Sequence, residues 1–564
     1  MMKWGCYMAD LATNIAKILR SVGVDTVFTV SAESLFPILR ALVREGIRVV
    51  NAKFEPSACF MAVVYSRILS KPGVVMVTSG PGALGVALPT GLALVEGDPV
   101  VIIATVSMNE RGTAVHQFHN SDAQMLSFKP ITKASFRISR DSDAGRILAE
   151  AFSIALSGKP GPVYIEIPDH LLGEEAGEAT YYPVTISRPE ASESNVAAAA
   201  DLLAEAEYPV IIAGRGVYLA GARDLLLRVA ELLSAPITTT VMAKGLVPHG
   251  HVLYAGVAAG KAGNIAAYEA IRRADVVLAI GNRFSEIGSG RYSIEIRGKL
   301  IHVNIDPHDL GMAYKPHIAI LSDAKDFLEK LLGELLKRRI RPKKGIAEDL
   351  KRLWQAESED LSKYYTDTRG SLKPWEVIRA VRRVLKKNNT IFVADVGAHR
   401  IETYIMPIYE GERYITSTSY ASMGLAVPGS VASSLAYPDK TVIAIVGDGG
   451  FLMTGLEVAT AVQYNAKPKI LVFNDSSYRV LGIYEKVKYK SVTEALVKLP
   501  DIDYSLLANA LGAEGIRVSK REELESSLEN ALAIDKAVVI DVIIDPFSVP
   551  IPLQRLYGLN LLAP

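Results

Sequence analysis

The chain has 564 residues, 49% of them hydrophobic and 22% charged, with a formal net charge of +1. That length predicts three or four globular domains, and the balanced charge speaks against a nucleic-acid partner. Two cysteines, Cys6 and Cys59, exclude a disulfide framework or a multi-cysteine metal site and point to a reducing, cytoplasmic setting, and no apolar run reaches the ~18 residues of a membrane span.

The first third alternates helix and strand signals. Residues 9–22, with Asp10, Asn14 and Lys17, read as an amphipathic helix and not as a signal segment. Residues 24–30 form a strand, 35–45 a helix, and 74–78, 100–105 and 163–167 are apolar strand runs. Alternation of this kind predicts a parallel α/β sheet. Residues 175–195 lose the pattern and read as an exposed connector. A second α/β unit has strands at 210–213, 276–280 and 300–305; a third has them at 391–394, 441–446, 470–473 and 538–543. The fold class is therefore α/β, three domains with parallel sheets flanked by helices. Their predicted limits are 8–175, 190–340 and 371–545. Residues 324–365 are charged and helical, with a basic patch at 337–344; the stretch 341–370 reads as a solvated linker, and 546–564 as a tail laid over the surface. The first and third domains share a strand–helix rhythm.

One constellation carries chemistry. The apolar strand 441–446 stops at Gly447-Asp448-Gly449-Gly450, a helical stretch follows, and the strand 470–473 stops at Asn474-Asp475. In a parallel βαβ unit Asp448 and Asn474 sit at the carboxyl ends of neighbouring strands, where open α/β sheets bind ligands. Glycines let a backbone approach a diphosphate closely, and a helix start favours anions. Asp448 and Asn474 offer hard oxygens of the kind Mg²⁺ takes together with phosphate oxygens and water. The constellation reads as a metal-bridged diphosphate anchor. Separately, Glu55 lies between Phe54 and Pro56 at the head of an apolar helix, which predicts a partly buried carboxyl.

Residues 446–478, VGDGGFLMTGLEVATAVQYNAKPKILVFNDSSY, resemble the diphosphate motif of the thiamine-diphosphate-dependent enzymes. Residues 71–82 (KPGVVMVTSGPG), 130–133 (PITK), 161–168 (GPVYIEIP), 395–399 (DVGAH) and 422–424 (SMG) place the resemblance nearest the acetolactate synthases. It spans residues 10 to 545 and implies pyrimidine-binding, central and pyrophosphate-binding domains in that order. It also implies thiamine diphosphate and Mg²⁺ as cofactors, with Asp448, Asn474 and the main-chain carbonyl of Ser476 on the metal. Gly447, Gly449 and Gly450 then line the diphosphate, His399 contacts its side, and Met423 holds the cofactor bent. Glu55 aligns with the glutamate that hydrogen-bonds the aminopyrimidine ring and sets the tautomer that removes the thiazolium C2 proton. In the family that glutamate and the diphosphate site come from different subunits. A homo-oligomer, dimer or dimer of dimers, follows.

The substrate side departs from the synthases. Phe54 stands where they often have histidine, Ser31-Ala32-Glu33 replaces a Pro-Gly-rich loop, and Tyr484 replaces a tryptophan or glutamine. The acceptor-side pair upstream of PITK aligns with His119-Asn120 without a gap and with His116-Gln117 with one. Some synthases bind FAD in the central domain; Arg283-Phe284-Ser285-Glu286 partly resembles the stretch found there, while DVGAH and NDSSY are closer to the flavin-free type. A regulatory subunit is left open. The resemblance implies a carboligase that decarboxylates a 2-oxoacid, pyruvate first, and joins the remainder to a second carbonyl compound. The alternatives are a 2-oxoacid decarboxylase or lyase releasing an aldehyde, against which the absence of a His-His pair argues, and a non-catalytic cofactor binder.

Overall fold

The computed structural model describes residues 9–108, 122–340, 343, 345–366, 370–385 and 389–559. They form two compact units. The first comprises residues up to 187 with 431–437 and 454–466; the second comprises 188–430, 438–453 and 467 onward.

The first unit is built on β1 (Thr26–Thr29), β2 (Arg48–Asn51), β3 (Gly73–Val77), β4 (Val100–Val106), β5 (Ala134–Arg137) and β6 (Val163–Pro168), in the order β2-β1-β3-β4-β6-β5 with every pair parallel. β3 and β4 are buried along their whole length, as a sheet covered on both faces requires. The helix Glu55–Leu69 is buried nearly all round, from Pro56 to Ile68, so its sequence is apolar without a polar stripe.

The second unit holds two sheets. One contains β7 (Pro209–Ala213), β8 (Ile237–Thr239), β9 (Tyr254–Val257), β10 (Val276–Ile280), β11 (Lys299–Asn304) and β12 (Ile318–Leu321), in the order β9-β8-β7-β10-β11-β12, the doubly wound arrangement of nucleotide-binding folds. The other contains β13 (Thr390–Ala394), β14 (Arg413–Thr416), β15 (Thr441–Gly447), β16 (Lys469–Asn474), β17 (Glu514–Val518) and β18 (Val538–Ile543), ordered β14-β13-β15-β16-β18-β17. Numbered within its own sheet, this is the same order as in the first unit. The shared rhythm read from the sequence is thus a shared topology.

Two stretches differ from their sequence reading. The charged segment taken for a solvated linker contains the helix Ile346–Tyr365, whose Ile346, Leu350 and Leu353 join the core of the β7–β12 sheet. Its charges lie mostly on the outer face, with Glu357 buried. The segment taken for a surface tail contains the helix Ile551–Tyr557, with Ile551, Pro552 and Leu553 buried. Arg555 ties it to Asp360 at 2.8 Å and Glu357 at 3.1 Å. The helix is too short for its period to show. No described helix is long and apolar enough to cross a membrane.

The first unit buries one triad of charges. Arg67, near the end of the helix Glu55–Leu69, meets Glu96 at 2.7 Å and Asp98 at 2.6 Å, and both acids are fully buried. Removing the cation strands two carboxylates in an apolar interior. Arg67→Ala is expected to destabilise the unit by about 3–5 kcal/mol. Thermal unfolding checks this, and a melting profile matching the wild type would contradict it.

Candidate active site

In the β13–β18 sheet the strand order reverses between β13 and β15. A crevice opens at such a switch point, outside the carboxyl ends of the strands. Asp395 follows β13, Asp448 follows β15 and Asn474 ends β16, so three polar side chains stand in a row where the apolar strands stop. The helix after β15 starts at Asp448 itself, which places Gly449 and Gly450 inside its first turn and not before it.

Asp448 is 2% exposed. Its Oδ1 accepts from the Gly449 N–H at 2.7 Å, and its Oδ2 accepts from Ser477 N–H at 3.0 Å and Asp475 N–H at 3.2 Å. Burial, and then the charge of Asp475, push its carboxyl up to about 7. Asp475 is held by Arg479 at 2.6 Å. Asn474 is oriented from behind. Its Nδ2 donates to Asp541 Oδ1 at 2.9 Å and to the Ile502 carbonyl at 3.1 Å, and its Oδ1 accepts only a long bond, 3.3 Å, from Ser476 N–H among the described residues. Ser476 has a φ of +53°, a strained conformation for a residue with a side chain, and its carbonyl accepts from Leu499 N–H at 2.7 Å, leaving one lone pair.

The glycines are explained by their neighbours. A Cβ on Gly447 would lie 3.0 Å from His399 Nδ1; on Gly449, 2.6 Å from the Tyr478 ring and 3.4 Å from Met423 Cε; on Gly450, 2.2 Å from Asp395 Oδ2. The structure therefore brings His399 and Met423 to the same cradle as Asp448. His399 is buried, and burial with the nearby Arg400 charge holds its imidazole down to about 3, so it is neutral at pH 7. Its Nε2 is buried with no partner among the described residues.

Asp395 was quoted in a motif but given no role by sequence reasoning. It is fully buried and accepts from Gly424 N–H at 2.9 Å and Leu425 N–H at 3.1 Å, fixing the turn that carries Met423. The rule that found Asp448, a carboxylate ending a strand at the switch point, finds Asp395 as well.

In the first unit Glu55 opens its helix, half-buried, after Phe54 in extended conformation. Its side chain packs on the turn after β3: a Cβ on Gly85 would lie 3.2 Å from Glu55 Cβ, and one on Gly82 would lie 3.7 Å from its Oε1. Gln124 anchors that turn, accepting from Gly80 N–H at 2.7 Å and donating to Tyr164 at 2.8 Å. Lys53 N–H, just before Glu55, donates to Glu457 at 3.1 Å.

Tyr484 is half-buried on the helix Arg479–Tyr489. The Arg291 guanidinium lies 4.9 Å from its ring centroid and 5.8 Å from that of Tyr557. Gln117, His119 and Asn120 lie outside the described residues. Arg283 pairs with Asp309 at 3.4 Å, and Phe284 is buried against Tyr314 and His302.

A buried acid, under-used oxygens beside it and a glycine cradle make this the candidate site, and family models name the class of the chain. The description "Thiamine pyrophosphate enzyme, N-terminal TPP binding domain" matches residues 9–126, the central domain of the same family matches 196–331, and its C-terminal TPP binding domain matches 395–542. The chain belongs to the thiamine pyrophosphate enzymes. Among them it is most like the acetolactate synthases. It is 30% identical to the probable acetolactate synthase large subunit of Methanocaldococcus jannaschii, over 95% of this chain and 92% of that one. It is 31% identical to an acetolactate synthase of Mycobacterium bovis, over 94% and 88%, and 29% identical to the large subunit of Haemophilus influenzae, over 96% of each.

Asp395→Ala removes the acceptor of the Gly424 and Leu425 N–H groups. Each unpaired buried N–H costs about 1–3 kcal/mol. The variant is expected to melt lower and to bind thiamine diphosphate more weakly, because the Met423 turn loosens. Cofactor titration and thermal unfolding measure both, and wild-type values in the two together would refute the anchoring role.

Proposed function

We propose that this thiamine-diphosphate-dependent enzyme is a Mg²⁺-dependent carboligase of the acetolactate-synthase type, which decarboxylates a 2-oxoacid, pyruvate first, and joins the remainder to a second carbonyl compound. The likeness to acetolactate synthases over nearly the whole chain carries this reading. The residues present suit the cofactor. His399 Nε2 is a buried nitrogen in need of a partner, Gly447 and Gly449 leave a cradle that side chains would fill, and Asp448 beside Asp475 is an acid pair that a cation would relieve.

On this reading Asp448, the Asn474 Oδ1 and the Ser476 carbonyl hold Mg²⁺, while Gly447, Gly449, Gly450 and His399 take the diphosphate. The cofactor, when bound, supplies the electron sink that loss of CO₂ needs. The chain supplies placement and proton control. Asp541 turns the Asn474 oxygen outward by occupying its amide nitrogen. Neutral His399 adds no charge beside the diphosphate. Met423 and Tyr478 wall the cradle with apolar surface, which keeps stray proton donors from the carbon to be joined. Glu55 would be the carboxyl that hydrogen-bonds the cofactor's aminopyrimidine ring and controls its proton. Phe54, half exposed beside it, and Tyr484 are substrate-side candidates, together with Gln117, His119 and Asn120. The active species is a homodimer or a dimer of dimers, in which Glu55 and Asp448 of one working site belong to different chains.

Product analysis tests the reaction. Labelled pyruvate with thiamine diphosphate and Mg²⁺ is expected to yield CO₂ and acetolactate. Acetaldehyde matching CO₂ with no acetolactate would make the enzyme a decarboxylase, and no CO₂ from any simple 2-oxoacid would overturn the substrate class.

The shared site has its own test. Glu55→Ala and Asp448→Ala proteins are each expected to be inactive, and subunit exchange between them to restore about a quarter of wild-type activity, since half the dimers are mixed and each holds one intact site. No recovery after proven exchange would place both residues in one chain's site.

Metal binding is expected to depend on pH. Mg²⁺ binds the ionised carboxylate, and without metal Asp448 titrates at about 7. Protons therefore compete below that value, and apparent affinity falls by up to about tenfold per unit as pH drops, with proton release on binding. Calorimetry at about pH 6 and about pH 8, in buffers of different ionisation heat, reads both effects; pH-independent affinity in the wild type would exclude Asp448 as a ligand.

A further inference from the structure

A second cleft lies within the second unit, about 1230 Å³ in volume, between the loop around His249, the helix Ile346–Tyr365 and the helix Pro374–Val384. None of the cofactor candidates lines it. Small-molecule sites fill about 300–1,000 Å³, so it has room for one.

Its lining combines aromatic rings with cations. Trp354 and Trp375 face it with Tyr365. These are two of the chain's three tryptophans. Trp354 is fixed by its indole N–H, which donates to the Tyr254 carbonyl at 2.8 Å, and Tyr365 packs on Trp375 with ring centroids 5.0 Å apart. From the helix Pro374–Val384, Arg379, Arg382 and Arg383 all reach the cleft, as positions three and four apart on one helical face must.

The three arginines are not equivalent. Arg382 pairs with Glu412 at 2.9 Å and Arg383 with Glu525 at 2.5 Å. Arg379 meets no carboxylate and donates no hydrogen bond to any described residue. Its guanidinium instead lies 4.0 Å from the centroid of the Tyr365 ring. A guanidinium seated on a ring face is held in place while its N–H fork stays available, the geometry suited to a phosphate. Two buried atoms on lining residues also lack partners among the described residues, Arg382 Nε and Glu402 Oε1. Burial pushes the Glu402 carboxyl up to about 8, so near pH 7 it is mostly protonated and can donate to a ligand oxygen or ring nitrogen. The other acids of the lining are Glu348 and Glu357, and Glu357 is taken by Arg555.

We propose that this cleft binds a nucleotide, its base against the Trp354 ring and its phosphates on Arg379, which the packed Tyr365–Trp375 pair holds in place. A ring that accepts a base by stacking and an unpaired fork that accepts phosphate are the two halves of nucleotide recognition. An apolar effector would leave Arg379 without use, and a simple anion would leave the Trp354 indole without use. The site is separate from the cofactor cradle and does not depend on which reaction that cradle performs.

The test uses the full chain saturated with thiamine diphosphate and Mg²⁺, so that the cradle is filled. ADP titration is expected to change tryptophan fluorescence saturably and to give one calorimetric site per chain. Adenosine and pyrophosphate, each half of the ligand, are expected to bind more weakly than ADP. Arg379→Ala is expected to weaken ADP about tenfold or more, and Arg379→Lys, which keeps the charge but not the fork, by less. Melting temperatures verify that the variants fold, and Arg379→Gln replaces the alanine variant if it does not. Absence of heat and fluorescence change at millimolar ADP would overturn the proposal. So would undiminished affinity in Arg379→Ala, adenosine binding as tightly as ADP, or pyrophosphate doing so.

Discussion

The candidate site depends on one buried carboxylate. Asp395 ends β13 at the point where the strand order reverses, and its oxygens collect the N–H groups of Gly424 and Leu425. Desolvation would favour its neutral form and holds its carboxyl up to about 6, while these donors pull the other way. The same oxygens fill the space where any side chain at position 450 would stand. One group thereby sets the turn bearing Met423, the start of the helix at Asp448 and the identity of Gly450. His399, one turn beyond Asp395, completes the arrangement. The glycine-rich sequence is then a consequence of crowding: three segments converge on the switch point, and one of them has to give up its side chains.

Charge is unevenly satisfied through this site. The charge of Asp475 disfavours ionisation of Asp448, and of the two only Asp475 has an arginine. Asn474 spends its amide nitrogen on Asp541 and keeps its oxygen nearly unspent. Such a set is poorly satisfied by itself, and the proposed Mg²⁺ with phosphate oxygens would complete it. The strain at Ser476 belongs to the same economy, since a left-handed turn there swings the chain from the end of β16 back toward Asp448.

How much of this could be read from the sequence follows from burial. Interior strands such as β3, β4, β10 and β18 are continuous apolar runs and were legible to within a residue or two. The exposed edge strands were not. Arg48–Asn51, Ala134–Arg137, Ile318–Leu321 and Glu514–Val518 are half exposed, so their residues carry no apolar run to recognise. β8 is interior but three residues long, below any period. At the site, Asp448 and Asn474 were legible because a strand stopping at a polar residue is a local pattern. Asp395 as an anchor, Asp541 behind Asn474 and Gln124 behind the Gly80 turn were not, because each acts on a segment far away in sequence.

The helix Ile551–Tyr557 is built into the second unit. Ile551 N–H is the hydrogen bond that Glu402 receives at 3.1 Å, and Arg555 is the cation between Glu357 and Asp360. Cutting the chain before residue 551 would do more than shorten it. Glu402 would lose its donor, two carboxylates on one helix face would be left side by side, and Tyr484 would lose the neighbouring ring with which it flanks Arg291. Arg555 closes a circuit of charges begun about two hundred residues earlier, so the helix Ile551–Tyr557 works as a clasp on the second unit.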